Sequence, residues 1–269
     1  MFGTIIGSFL NVVIFRLPVM LEQDWKQQAN EILGHDVEPD KVTFNLIFPN
    51  SHCPNCCHEI RPWENIPLLS YTFLRGKCAH CHESISARYP VVELLAGVLT
   101  VVIISTFGTT PLGLSACLLT WALIALSLID YDTQLLPDNI TLPLLWLGLV
   151  VNYYGVVTSL QDAFIGACLG YLSLWSVFHL FKLVTGKEGM GYGDFKLLAV
   201  LGAWMGWQAV PLIIILSSLA GALIGGSLIL LGRDKAKPIS FGPYLAIAGW
   251  ITLIWGDDIT HAYLQFAGL

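Results

Sequence analysis

From Pro90 onward the chain is almost continuously apolar, broken only by short polar turns, whereas residues 19 to 89 mix charge, proline and cysteine. Runs of this length predict membrane-crossing helices at roughly 90–107, 112–130, 139–156, 162–182, 195–208, 210–231 and 242–256. The 195–231 stretch holds two helices, with the break near Gly206 or Pro211. An earlier apolar stretch runs from Met1 to Ile14 and closes at Arg16-Leu17-Pro18. It is shorter than the about 20 residues that a span needs. It also lacks the basic start and small-residue cleavage site of a signal peptide, so it reads as a first helix that is clipped or begins at an internal start.

The pattern therefore predicts an all-α polytopic membrane protein of about eight transmembrane helices. Residues 1–18 form the first helix, 19–89 an insert between the first and second, and 90–269 a seven-helix membrane domain. No internal repeat or low-complexity tract is visible. Composition strengthens the reading. Of 269 residues, 55% are hydrophobic and only 12% charged, against about 25% charged in a soluble domain. Mean hydropathy is +0.68. A net charge of −6 with no basic face gives nucleic acid nothing to bind, and the expected surroundings are membrane lipid.

Charge placement adds an orientation. All 13 Lys and Arg residues fall between Arg16 and Arg88, between Lys182 and Lys196, or between Arg233 and Lys237. Threading eight spans puts these segments on one side, and the loops near Gly108, Leu160 and Gly206 on the other. The positive-inside rule makes the basic side, and hence the insert, cytoplasmic.

The insert holds Cys53-Pro54-Asn55-Cys56 and Cys78-Ala79-His80-Cys81, two CxxC knuckles. Such a pair suits tetrahedral zinc with ligands Cys53, Cys56, Cys78 and Cys81. Cytoplasmic thiols stay reduced, which favours metal over disulfides. Four thiolates close the coordination shell, so this Zn2+ is expected to be structural, not catalytic. His52, His58, His80 and His82 then read as solvated loop residues. Cys57 is left over; Cys117 and Cys168, inside spans, read as small apolar packers.

Ionisable residues at span ends are costly and point to function. Asp130 ends one predicted span, in Leu128-Ile129-Asp130-Tyr131-Asp132; Asp194 begins another, in Gly191-Tyr192-Gly193-Asp194. Both fall on the cytoplasmic side of the threading. Two carboxylates meeting in a partly dry site divide one charge between them, the arrangement that activates water in aspartic proteases without a metal. Gly189, Gly191 and Gly193 lack a Cβ and would let the backbone approach an extended substrate strand. Asp138 reads as a helix N-cap, and Asp132 as a residue facing away from Asp130.

At Gly191-Tyr192-Gly193-Asp194 the chain resembles the GxGD intramembrane aspartyl proteases. Gly7-Ser8-Phe9-Leu10-Asn11, Arg16-Leu17-Pro18, the knuckles, Arg88-Tyr89-Pro90-Val91-Val92-Glu93, Leu135-Leu136-Pro137-Asp138 and Phe241-Gly242-Pro243-Tyr244 extend the likeness along essentially the whole chain. Together they resemble the bifunctional prepilin leader peptidase/N-methyltransferase family. The resemblance implies cleavage of type IV prepilin and type II secretion pseudopilin leaders at the cytoplasmic face of the bacterial inner membrane, with Asp130 and Asp194 catalytic. It also implies methylation of the new N-terminal residue, usually Phe, from S-adenosylmethionine. Methylation is placed in or near the insert, which makes Gly76 and Glu93 candidates; a turn and an interfacial helix start are their plainer roles. Glu22, Asp24, Glu64 and Glu83 could meet a basic leader, though solvated acids are the commoner case.

Two other functions compete. A transporter using Asp130 and Asp194 as a proton relay would place them near the bilayer midplane and show matching halves. A scaffold docking a pilus-assembly partner through the zinc insert would tolerate asparagine at either aspartate.

Overall fold

The computed structural model describes residues 1–34, 44–231 and 240–267; Pro39 and the basic run Arg233 to Lys237 lie outside them. Nine α-helices are present among the described residues: α1 (Phe2–Leu33), α2 (Leu69–Phe73), α3 (Arg88–Phe107), α4 (Pro111–Thr133), α5 (Asp138–Tyr153), α6 (Leu160–Thr185), α7 (Tyr192–Met205), α8 (Ala209–Leu230) and α9 (Gly242–Ala267). Each predicted apolar run is one helix, and the 195–231 stretch breaks at Gly206, which has φ 85. Five helices, α1, α3, α4, α6 and α8, are long and apolar enough to cross a membrane, which makes this a multi-pass membrane protein. Helices α5 and α7, at 16 and 14 residues, fall short of that length.

The chain divides into two compact units, residues 1–105 and 106–269. Most of helix α3 lies in the first of these units, with α1 and the insert.

In the first unit, α1 does not stop at Pro18 but runs on to Leu33. Its first half buries Gly3, Gly7, Leu10, Ile14 and Leu17, a helical stripe. Its second half is polar and exposed, and Lys26 pairs with Glu22 one turn away at 2.7 Å. Close packing of α1 on α3 depends on Gly7, where a Cβ would lie 2.6 Å from the Glu93 Cα. Buried polar side chains tie α1 to later segments of the same unit. Asn11 donates to the Tyr89 carbonyl at 3.1 Å, and Arg16 donates to the carbonyls of Asn45 and Pro49 at 2.9 and 2.6 Å.

The second unit is built around α7, where ten of 14 residues are buried. Small residues let α6 reach its backbone, as in membrane helix pairs generally. Gly166 lies directly against Gly202, and a Cβ on Gly170 would come within 2.6 Å of the Leu198 carbonyl oxygen. Gly166 and Gly170 are four residues apart, so they share one face of α6. On another side of α7, buried Asn152 of α5 donates to the Ala203 and Trp204 carbonyls, both at 2.9 Å. Its side-chain oxygen accepts from the N–H groups of Val157 and Thr158 at 3.1 and 3.0 Å. Trp204 returns a bond to the Leu144 carbonyl at 2.8 Å. All four hydrogen-bonding positions of the Asn152 amide are therefore used, which is what makes a polar side chain tolerable there.

Candidate active site and metal centre

The two knuckles have the same backbone construction. Cys53 donates to the His58 carbonyl at 2.9 Å and Cys57 to the Cys53 carbonyl at 2.9 Å; Cys78 donates to the Glu83 carbonyl at 2.8 Å and His82 to the Cys78 carbonyl at 3.1 Å. Cys57 and His82, equivalent in the two turns, are both left-handed at φ 55 and 58. An antiparallel bridge closes each turn, His52 with Glu59 and Lys77 with Ser84. This is a short structural repeat that residue identities alone did not disclose.

The repeat brings together the four expected ligands: the sulfurs of Cys53, Cys56, Cys78 and Cys81 all lie within 4.8 Å of one another. Cys53 and Cys81 are 3.8 Å apart, Cys56 and Cys78 4.0 Å. Sulfurs about 2.3 Å from a central ion define a tetrahedron with edges of about 3.8 Å, so the cluster could hold a structural metal. The N–H groups of Cys56 and Asn55 hold the Cys53 thiol down to about 6. Against the lowering contact of His58, burial and the other three sulfurs push Cys56 up to about 12. Such crowded thiols are the setting in which a cation replaces protons. The four histidines stay outside the cluster; His58 and His80 stack at 5.1 Å. Cys57 is exposed, Cys117 is buried as expected of a packer, and Cys168 is exposed, which corrects its reading as one.

Gly76 sits at φ 69, and a Cβ there would lie 2.9 Å from the Tyr71 hydroxyl. Its place is a tight turn under that ring. Glu93 is buried on α3, hydrogen-bonded with Ser8 and accepting the Leu68 N–H at 2.9 Å. It anchors α2 of the insert.

Asp130 and Asp194 are buried, at 5% and 6% exposure. Asp130 is placed by the last turns of α4, which Gln134 ends in a left-handed conformation at φ 56. Its Oδ2 accepts the Gly242 N–H, the start of α9, at 2.9 Å. A Cβ at 242 would stand 2.6 Å from that oxygen, so only glycine permits the approach. Gly242 stands in the Phe241-Gly242-Pro243-Tyr244 motif, but an Asp partner for its N–H has no signature in residue order.

Asp194 lies in the first turn of α7, whose N-cap is Gly191. Tyr192 and Phe195 on either side of it meet each other and Phe178 of α6 at ring distances of 5.3 to 5.6 Å. Before the cap, Lys182 and Glu188 close the loop with a 2.8 Å bond that also lowers the Glu188 carboxyl below its usual range. Gly191 has open space, its nearest neighbours 3.9 Å away or more. At Gly193 a Cβ would lie 2.8 Å from Leu136. Asp138 is not the N-cap of α5, since Pro137 holds that place. It lies in the first turn, and Lys196 Nζ donates to both of its oxygens at 2.7 and 2.8 Å. Asp132 is exposed, away from Asp130, as its spacing implies.

Fold and site thus define a helical membrane protein that carries two buried carboxylates and a four-thiol cluster able to hold a metal. Residues 1–107 match the Bacterial Peptidase A24 N-terminal domain, and residues 117–226 the Type IV leader peptidase family. The chain is 61% identical over 267 residues to a prepilin leader peptidase/N-methyltransferase of Pseudomonas aeruginosa, covering 99% of this chain and 92% of the relative. Enzymes of the same name from Stutzerimonas stutzeri and Dichelobacter nodosus are 58% and 49% identical, over 99% of this chain and 93% of each relative. No solved structure matches. The chain belongs to the prepilin leader peptidase/N-methyltransferase family and is a peptidase.

Proposed function

We propose that the chain removes the leader peptides of type IV prepilins and type II secretion pseudopilins at the cytoplasmic face of the bacterial inner membrane, using Asp130 and Asp194, and then methylates the new amino terminus. The observation that carries the cleavage is the burial of two carboxylates in one helical unit, one ending α4 and one beginning α7. In such a pair the charged member takes a proton from water as the oxygen attacks the peptide carbonyl. The neutral member hydrogen-bonds the carbonyl oxygen, and a proton then passes to the leaving amine as the C–N bond breaks. The pair acts as one titrating unit, with neither role fixed to either residue. The Gly242 N–H keeps the Asp130 carboxylate from rotating away.

The relatives' name supports prepilins as substrates, and the clustering of Lys and Arg supports the cytoplasmic assignment. Zinc fits the four sulfurs by softness and spacing, as a structural ion. Methylation rests on the second half of the relatives' name. S-adenosylmethionine would supply the methyl group, with Gly76 and Glu93 as the candidate residues in and beside the insert.

Prepilin cleavage in membranes tests the reading, with wild type, Asp130→Asn and Asp194→Asn compared and zinc measured in each. Loss of cleavage in both variants with zinc retained is the expected result. A wild-type rate in either would remove that residue from the chemistry.

A further inference from the structure

Helix α4 ends at Thr133 and α5 begins at Asp138, so only Gln134 to Pro137 separate them. Gln134 is left-handed at φ 56 and returns its N–H to the Asp130 carbonyl at 2.8 Å. A connection this short, bonded back onto its own helix, ties the place of Asp130 to the places of Leu136 and Asp138.

Those two residues both engage the first turn of α7, on either side of Asp194 in sequence. Leu136 packs on the backbone at Gly193, where a Cβ would lie 2.8 Å from its own Cβ. Asp138 receives Lys196 Nζ on both carboxylate oxygens, at 2.7 and 2.8 Å. Residues two apart on a helix are turned by about 200° from one another, so Lys196 is anchored on the face of α7 opposite Asp194. From α6 the same turn is met by aromatic contacts, Phe195 against Tyr171 and Phe178 at ring distances of 5.9 and 5.6 Å. Apolar contacts hold the turn in place but are non-directional. The charge-assisted bond to Asp138 adds a direction.

We propose that Lys196 is a positioning residue for the peptidase: held by Asp138, it fixes the roll of the first turn of α7 and thereby the aim of the Asp194 carboxylate relative to Asp130. The inference rests on the two-aspartate reading above and adds to it the ion pair that sets the geometry. Lys196 acts through the backbone it shares with Asp194, from the far side of the helix. A partly exposed ion pair adds little to folding, whereas misplacing a reacting group by about 1 Å can cost about 10²-fold in rate. Loss of the pair should therefore appear in turnover and not in stability.

Steady-state prepilin cleavage by the full chain in membranes, with thermal midpoint and folded yield measured in detergent, tests this. Lys196→Met should lower kcat by at least about tenfold, with KM and the thermal midpoint close to wild type, the mark of an interaction that matters only in the transition state. Lys196→Arg, which can still donate to both Asp138 oxygens, should stay within about twofold of wild type. Asp138→Asn should lower kcat as Lys196→Met does, and the double variant should lose no more than either single one, because both changes break one bond. Should Lys196→Met yield no folded protein, Asp138→Asn and Lys196→Arg carry the same comparison. A wild-type kcat in Lys196→Met, losses that multiply in the double variant, or a fallen thermal midpoint with unchanged kcat per folded molecule would overturn the positioning role. Wild-type cleavage by Asp194→Asn would instead overturn the two-aspartate reading beneath it.

Discussion

Lys196 reaches across 58 residues of sequence to bond both carboxylate oxygens of Asp138, at 2.7 and 2.8 Å. Asp138 follows the loop that leaves Asp130, and Lys196 lies two residues beyond Asp194. The pair thus joins the two chain segments that carry the candidate carboxylates. Its side chains are 30% and 49% exposed, so water weakens it. A double-mutant cycle with Asp138→Asn and Lys196→Gln, read by unfolding in detergent, should return a coupling of about 0.2–1 kcal/mol. A coupling of zero would mean that the bond orders nothing.

Gly242→Ala places a methyl group against Asp130 Oδ2, 2.6 Å away before any adjustment. Displacing a reacting group by about 1 Å can cost about 10²-fold in rate, and prepilin cleavage should fall by about that factor with metal content intact. Gly221→Ala, whose new Cβ would meet its neighbours at 3.5 Å, should cleave normally. Equal activity of the two variants would disprove the close approach.

The α6–α7 seam should be the most sensitive packing surface in the second unit. Gly166→Leu must push apart two backbones already in contact, while Gly226→Leu enters open space with nothing within 4 Å. Overpacking of this kind costs about 3 kcal/mol or more where no side chain can yield. Folded yield and thermal midpoint in detergent should collapse for the first and stay level for the second.

For the metal centre, mass spectrometry of the native protein should find one ion per chain. Cys53→Ala should abolish it, and Cys57→Ala, altering an exposed thiol outside the cluster, should not. Chelation should melt the insert by removing the ion that its folding requires. Retention of metal in Cys53→Ala would show that the four sulfurs are not its ligands.

Much of this was legible because one physical rule dominates. An apolar run at membrane length has few options besides a helix, so the segments from α3 to α9 appear in the pattern. The thiol cluster was equally visible, since CxxC turns present two sulfurs each. The second half of α1 was not. Its charges resemble those of a loop, yet an exposed helix accepts them, and Glu22 and Lys26 even stabilise it. Nor could periodicity find the Asp138–Lys196 bond, the Gly242 contact with Asp130, or the meeting of Gly166 with Gly202. Those are tertiary pairings, decided by which helices lie side by side. Leu136 filling the space at Gly193 is of the same kind: the glycine was visible, its neighbour was not.

Helix α7 has 14 residues, a length of about 21 Å at 1.5 Å per residue. A hydrocarbon core about 30 Å thick cannot be bridged by it. Jacketed by α5, α6 and α9, it has no need to match the lipid, because its ends rest on protein. The depth of Asp194 is accordingly set by Asn152, Trp204 and the glycine seam. Acyl-chain length, which tilts and sorts ordinary spans, has little purchase on it, so the same carboxylate geometry can persist in thin and thick membranes alike.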